Sequence, residues 1–218
     1  MQITSTAITK KDYSLGLLAG LLIGLLLLPI LSAAKPDLYA KIAIGIIPFF
    51  LIGTPLGLFI ANLLSKRIAV IWQIAKFGVT GILNALVDLG VLTILTFVFR
   101  TYLNIDSKGT VIVGLSFLTF YSVYKAISFI IANVNSYYWN KYWTFHKDGE
   151  KSSEFIQFFI VSVVGFIVNV LAASIVFTST ASSSTLSADQ AGLIGAIAGS
   201  IAGLAWNFIG YKFIVFKK

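Results

Sequence analysis

Six stretches of the chain stay apolar for about the length of a bilayer crossing, with polar residues gathered between them rather than alternating within them. A hydrocarbon core of about 30 Å takes about 20 residues of α-helix. On that ruler the spans are Ser14–Ala34, Ile42–Leu64, Phe77–Phe99, Val111 to about Asn135, Phe155–Phe177 and Ala191–Tyr211, the fourth more polar than the rest. Transmembrane strands need only about 10 residues of strict alternation. Helices are the remaining way to satisfy a backbone in lipid. The pattern predicts an all-α integral membrane protein with six transmembrane helices. Pro48 and Pro55 are expected to kink the second helix, with Gly53 and Gly57 softening it. The Ser- and Thr-rich stretch Ser179–Asp189 is expected to be a loop. The first span also has the look of a signal peptide, with Lys10 and Lys11 before it and Ser32-Ala33-Ala34 at its end. Its apolar run exceeds the usual length of roughly 7–15 residues, so it is read as a span.

Composition agrees. Of 218 residues, 58% are hydrophobic and only 11% charged, too few to clothe a soluble globule and far too apolar for disorder. There is no cysteine and one histidine, His146, so neither a disulfide nor a Cys/His metal site is expected. The net charge of +8 finds its explanation in topology. With the N-terminus inside, Lys10, Lys11, Lys66, Arg67, Lys76, Lys141, Lys147, Lys151, Lys212, Lys217 and Lys218 fall on the inner side, against Lys35, Lys41, Arg100 and Lys108 outside. That asymmetry favours both termini in the cytoplasm; the membrane expected is the cell (plasma) membrane. No nucleic-acid-binding signature accompanies the charge, so nucleic acid is not an expected partner.

The chain divides near Lys66–Lys76 into a two-helix extension, residues 1–65, and a four-helix domain, residues 66–218. The domain reads as one hairpin used twice, Phe77–Phe145 and Phe158–Phe216. Each begins with a Gly then an Asn, Gly81 and Asn84 in the first and Gly165 and Asn169 in the second. A shift of 71 superposes Lys141 on Lys212 and Phe145 on Phe216 in the polar-aromatic exits. Both hairpins start and finish on the same side, so the repeats are parallel, and ligand sites in such proteins tend to lie between repeats. Two helices carry glycine stripes, Gly16/Gly20/Gly24 and Gly195/Gly199/Gly203. Packing within the chain is one use for them and a homodimer seam, through the first helix, is the other.

These residues resemble the GtrA-like family of small multi-helix membrane proteins. The resemblance covers Gln73 to Lys218. It rests on Lys76-Phe77-Gly78 through Gly81, Asn84 and Val87-Asp88-Leu89-Gly90, on Asn135 through Asn140-Lys141-Tyr142-Trp143-Thr144-Phe145, on Phe158-Phe159 and Gly165 to Asn169, and on Trp206-Asn207 with Lys212 to Phe216. It implies a role in cell-surface polysaccharide synthesis. The expected role is translocation (flipping) of polyprenyl-phosphate-linked sugars, with membrane lipids as surroundings. The alternative is a non-transporting partner that stabilises or localises a polyprenyl-phosphate glycosyltransferase. The two N-terminal helices are additional to the family's usual four. The second hairpin has no acid to match Asp88 and no ionisable residue like Lys125.

Asp88 lies at the centre of the third span and Lys125 near the middle of the fourth. A charge at that depth costs about 2.5–3.5 kcal/mol on insertion scales. Either the two make a plain structural ion pair, or Lys125 meets a phosphate while Asp88 pairs with it at rest or titrates. A proton-coupled cation exporter needs Asp88 unpaired, and a fixed positive charge beside it argues against that. Asn84, Asn169 and Asn207 offer amides for sugar hydroxyls or for interhelical bonds. Asn140, Lys141 and Trp143 at one helix exit, and Trp206 and Lys212 at the other, read as an aromatic belt or as a sugar-stacking, phosphate-gathering surface. There is no phosphate-binding Gly-Lys-Ser/Thr loop and no paired carboxylates on an outer loop. No catalytic residue, metal or cofactor is expected, and the chain is not expected to be an enzyme.

Overall fold

The computed structural model describes residues 8–111, 119–147, 153–183 and 188–217. They form six helices: α1 (Lys10–Ala34), α2 (Pro36–Ser65), α3 (Val70–Tyr102), α4 (Phe120–Trp139), α5 (Glu154–Ser183) and α6 (Ala188–Gly210). Among the described residues the sole β-type pairing is one isolated bridge between Thr110 and Thr119. By length and composition α1, α2, α3, the Glu154–Thr180 part of α5 and Ile194–Val215 can each cross a membrane. Helix α4 falls short of that measure, because Lys125, Ser122, Ser128, Asn133, Asn135 and Ser136 interrupt its apolar positions.

Several helix ends differ from the sequence expectation, and the reasons are local. Thr9 caps α1: its hydroxyl accepts from the Asp12 N–H while the Asp12 carboxylate accepts from the Thr9 N–H, a capping box that starts the helix at Lys10. Pro36 sits in the first turn of α2, where its missing N–H is not needed. The helix then runs on through Pro48 and Pro55. Helix α4 begins at Phe120, not near Val111. Thr119 is its N-cap, accepting from Ser122, and Thr110 and Val111 lie outside any helix. Residues 112–118 of the expected fourth span are outside the described residues. Within the expected loop Ser179–Asp189, α5 continues to Ser183 and α6 starts at Ala188, and residues 184–187 lie outside the described residues. Helix α3 ends with Asn104 at φ 53°, and the Ile105 N–H bonds back to the Phe99 carbonyl. This is the left-handed closure in which Asn substitutes for Gly.

Two helices continue into a π-turn, Asn140–Thr144 after α4 and Tyr211–Val215 after α6. In each, the next N–H reaches five residues back: Phe145 to the Asn140 carbonyl at 2.9 Å and Phe216 to the Tyr211 carbonyl at 2.7 Å. The wider turn re-aims the side chains that follow.

The chain forms two compact units, residues up to His146 and residues from Lys147 onward. In the first, α1 pairs with α2, α3 with α4, and α3 also packs on α1 and α2. Its core is Ala19, Leu58, Trp72 and Trp143, with Leu15, Ala61, Ala75, Val79 and Trp139 against it. The glycine stripe of α1 faces α2. A Cβ on Gly16 would meet Leu58 at 2.7 Å, one on Gly24 would meet the Ile47 Cα at 3.0 Å, and one on Gly20 would strike the Phe50 carbonyl. That order is antiparallel. In the second unit the α6 stripe lies on α5 in the same way: a Cβ on Gly195 would meet the Ala173 carbonyl at 2.8 Å and one on Gly203 the Gly165 carbonyl at 3.0 Å. Both stripes therefore serve packing inside the chain, and the α1 stripe offered as a homodimer seam is covered by α2.

Replacing Gly20 by Val pushes α1 off the α2 backbone and is expected to cost about 2 kcal/mol or more, seen as a lower melting temperature in detergent. Gly57, which has nothing within 4 Å of its Cβ position, gains up to about 1 kcal/mol on replacement by Ala.

Candidate functional site

Asp88, on α3, and Lys125, on α4, form an ion pair. Ser128, one turn along α4 from Lys125, donates its hydroxyl to the other Asp88 oxygen at 2.6 Å. Ser128 is wholly buried, whereas the Lys125 side chain is 41% exposed and the Asp88 side chain 20%. The carboxylate is thus fixed from the protein side and the ammonium stands on the open side. Thr80, Asn84 and Asp88 follow at four-residue spacing, so they share one face of α3. The Thr80 hydroxyl and the Asn84 carbonyl oxygen are buried without a hydrogen-bond partner, as are the Tyr124 hydroxyl and the Asn135 amide nitrogen of α4. A buried polar atom without a partner costs about 1–3 kcal/mol. Of these four atoms, the Asn84 oxygen lies one turn from Asp88 on the same face of α3, where a polar ligand or water would satisfy it.

A second charged cluster lies where α1 and α3 begin and α4 ends. Asp12 is 3% exposed and Lys76 1%. The Lys76 ammonium lies 3.5 Å from Asp12 Oδ1, and the Trp143 indole N–H donates to the same oxygen at 3.1 Å. Asp12 Oδ2 accepts from the Thr9 N–H at 3.1 Å and the Thr9 hydroxyl at 2.7 Å. Lys76 also lies 5.0 Å from the centre of the Trp72 ring. Sequence reasoning missed this cluster because Lys76 was assigned to topology and Asp12 lay before the first span. The spacing Thr9-x-x-Asp12 was the available signal.

Trp143, expected as a sugar-stacking surface, is 1% exposed and part of the core. Lys141, expected to gather phosphate at the membrane surface, is also 1% exposed. Its ammonium donates to the Tyr137 hydroxyl at 3.1 Å and lies over the Tyr137 and Tyr142 rings. Asn140 is buried, donating to the Ser136 carbonyl and hydroxyl, with its own carbonyl oxygen unpartnered. The physical reason is the π-turn, which rotates these residues into the bundle. The aromatics exposed at this end are Tyr138 and Tyr142 instead, stacked with centroids 6.1 Å apart.

In the second unit the Asn207 amide fills the space beside Gly165, and Asn169 lies against Gly199 and Gly203. Both amides sit at the α5–α6 crossing, and the Asn207 carbonyl oxygen has no partner. Trp206 is 38% exposed and its indole N–H donates to the Val161 carbonyl at 3.2 Å. Lys212 is half-buried, its ammonium over the Phe208 and Phe213 rings. Tyr211 stacks on Phe158 at 4.1 Å and shares a 2.7 Å hydrogen bond with Ser162. Of the residues singled out in the sequence, Asn84, Asp88 and Lys125 lie on the paired helices α3 and α4, Asn140, Lys141 and Trp143 pack into the bundle end, and Asn169 and Asn207 each pack on glycines of the opposite helix.

No curated protein and no solved structure matches this chain. The family model described as GtrA/DPMS, transmembrane domain, matches residues 76–216, beginning at Lys76 of the buried pair and ending at Phe216, the residue after the second π-turn. With that match spanning α3 to the second π-turn, and five helices apolar enough to cross a bilayer, the chain belongs to the GtrA/DPMS transmembrane-domain family and is a multi-pass membrane protein.

Proposed function

We propose that this protein translocates polyprenyl-phosphate-linked sugars across the cell membrane, in the synthesis of surface glycans. The observation that carries the reading is the half-open Asp88–Lys125 pair. A purely structural pair in lipid lowers its cost by closing over both charges, yet the Lys125 side chain is 41% exposed. An ammonium held in place by a partly buried carboxylate is a site to which a phosphate can transfer. Lys125 exchanges Asp88 for the ligand phosphate, Ser128 keeps Asp88 in position, and the unpartnered Asn84 oxygen accepts from a sugar hydroxyl. In the second unit Asn207 has the same spare acceptor. The polyprenyl tail stays in lipid while the head group moves.

In this reading α4 also crosses the membrane, as the fourth of six spans. Its polar residues are tolerated because it pairs with α3. The two hairpins are one unit used twice, supported by π-turns that start 71 residues apart, at Asn140 and Tyr211. Residues 66–218 form the transporting domain, residues 1–65 an extension of it, and both termini face the cytoplasm. The protein moves its ligand without transforming it.

Reconstitution tests this. Proteoliposomes holding the protein should equilibrate a fluorescent short-chain polyprenyl-phosphate sugar between leaflets at least tenfold faster than empty vesicles. Rates equal to empty vesicles, together with a glycosyltransferase recovered in equal amount from native membranes, would establish the non-transporting partner role instead.

A further inference from the structure

We propose that Lys76 and Trp143 form a second anion site, for a phosphate group, which this chain fills with its own Asp12. Both donors belong to the family-matched residues 76–216, while the acid that satisfies them comes from α1, outside that range. Within the matched range the Lys76 ammonium and the Trp143 indole N–H converge on a single oxygen and are otherwise buried. Two desolvated donors aimed at one point require an anion there. Asp12 is the only acid that salt-bridges Lys76 among the described residues. The elements that supply the donors carry two further buried groups the carboxylate does not use. Thr80, one turn along α3 from Lys76, and Thr144, next to Trp143, have fully buried hydroxyls without a partner. A carboxylate offers two oxygens, both already engaged, whereas a phosphate offers more and a larger charge.

Apart from the two donors of the site itself, Asp12 is held by Thr9 alone and sits in the first turn of α1, and helix ends are the parts of a helix that open most readily. Its neighbours Lys10, Lys11 and Tyr13 are exposed, and the Lys11 ammonium lies 3.5 Å from the Tyr142 carbonyl. The added helix therefore acts as an internal competitor. When the first turn opens, the site can take the phosphate of a lipid head group or a free phosphate ion. The lipid-linked form of the ligand rests on the proposed function above. The site itself is read out by binding, so a silent transport assay leaves it standing.

The test uses the full chain in detergent micelles with its tryptophan indoles labelled with 15N. The Trp143 resonance is assigned through Trp143→Phe. Dodecyl phosphate in the micelle and inorganic phosphate in solution are titrated separately, and the arm that shifts the resonance identifies the source. In Asp12→Asn the Trp143 N–H signal should shift and saturate at concentrations at least tenfold lower than in the unaltered protein. In Asp12→Asn/Lys76→Gln the response should vanish. Should Asp12→Asn fail to fold, Thr9→Ala loosens the same turn while keeping the ion pair, and should bind about threefold better than the unaltered chain. No response to either phosphate in the folded variants, or a response that survives loss of Lys76, overturns the proposal.

Discussion

Replacing Lys125 by Met should lower the thermal stability of the protein in detergent and abolish ligand movement, and further replacing Asp88 by Asn should restore only the first. The single change strands a carboxylate at mid-helix that keeps only the hydrogen bond from the Ser128 hydroxyl to set against its charge. An uncompensated charge there costs about 3 kcal/mol, the insertion penalty of an acid at the centre of a membrane helix. Adding Asp88→Asn removes that charge and still lets the Ser128 hydroxyl donate to the new amide. Stability should then return to within about 1 kcal/mol of the starting protein, as replaced buried pairs commonly do. Melting in detergent, read by circular dichroism, checks the stability half. A structural clamp can be exchanged for a neutral pair without loss, whereas a phosphate receptor cannot.

Asp12→Ala should be the most destabilising single change at the end of the bundle. It leaves Lys76, 1% exposed, without its counter-ion and the Trp143 indole without its acceptor, and it removes half of the α1 capping box. Breaking one side of a buried pair costs about 3–5 kcal/mol, and the lost cap adds about 1 kcal/mol. The double change Asp12→Leu/Lys76→Met should recover most of the ion-pair loss but not the cap. Melting curves of the three variants check this. A loss below about 1 kcal/mol for Asp12→Ala would show that Lys76 reaches water in solution.

The helices were legible in the sequence because the bilayer imposes one length and one backbone solution on any spanning segment. The Asp88–Lys125 pair was legible for a related reason: a charge in mid-span needs a partner, and few were on offer. Asp12 and Lys76 were not. Both lie near span ends, where a charge normally meets water, and their pairing crosses 64 positions of chain. The start of α4 was misplaced because the apolar residues from Val111 run on into the helix without a charge between them, and only the Thr119 cap marks the boundary. Trp143 and Lys141 were expected at the membrane surface because aromatic and cationic residues at a helix exit commonly form an interfacial belt. The π-turn begins at Asn140 and changes the register of the residues after it. The glycine stripes gave a face but not its occupant, since a close helix neighbour within the chain and one from another copy ask for the same small residues.

The transport rate of Asp88→Asn/Lys125→Met in proteoliposomes, measured on protein whose melting temperature matches the unaltered chain, tests most directly whether Lys125 receives the phosphate. A rate at least tenfold below that of the unaltered protein is predicted, since the neutral pair holds the hairpin but offers no cation to a phosphate. Equal rates in the two would contradict it and leave the pair as a clamp alone.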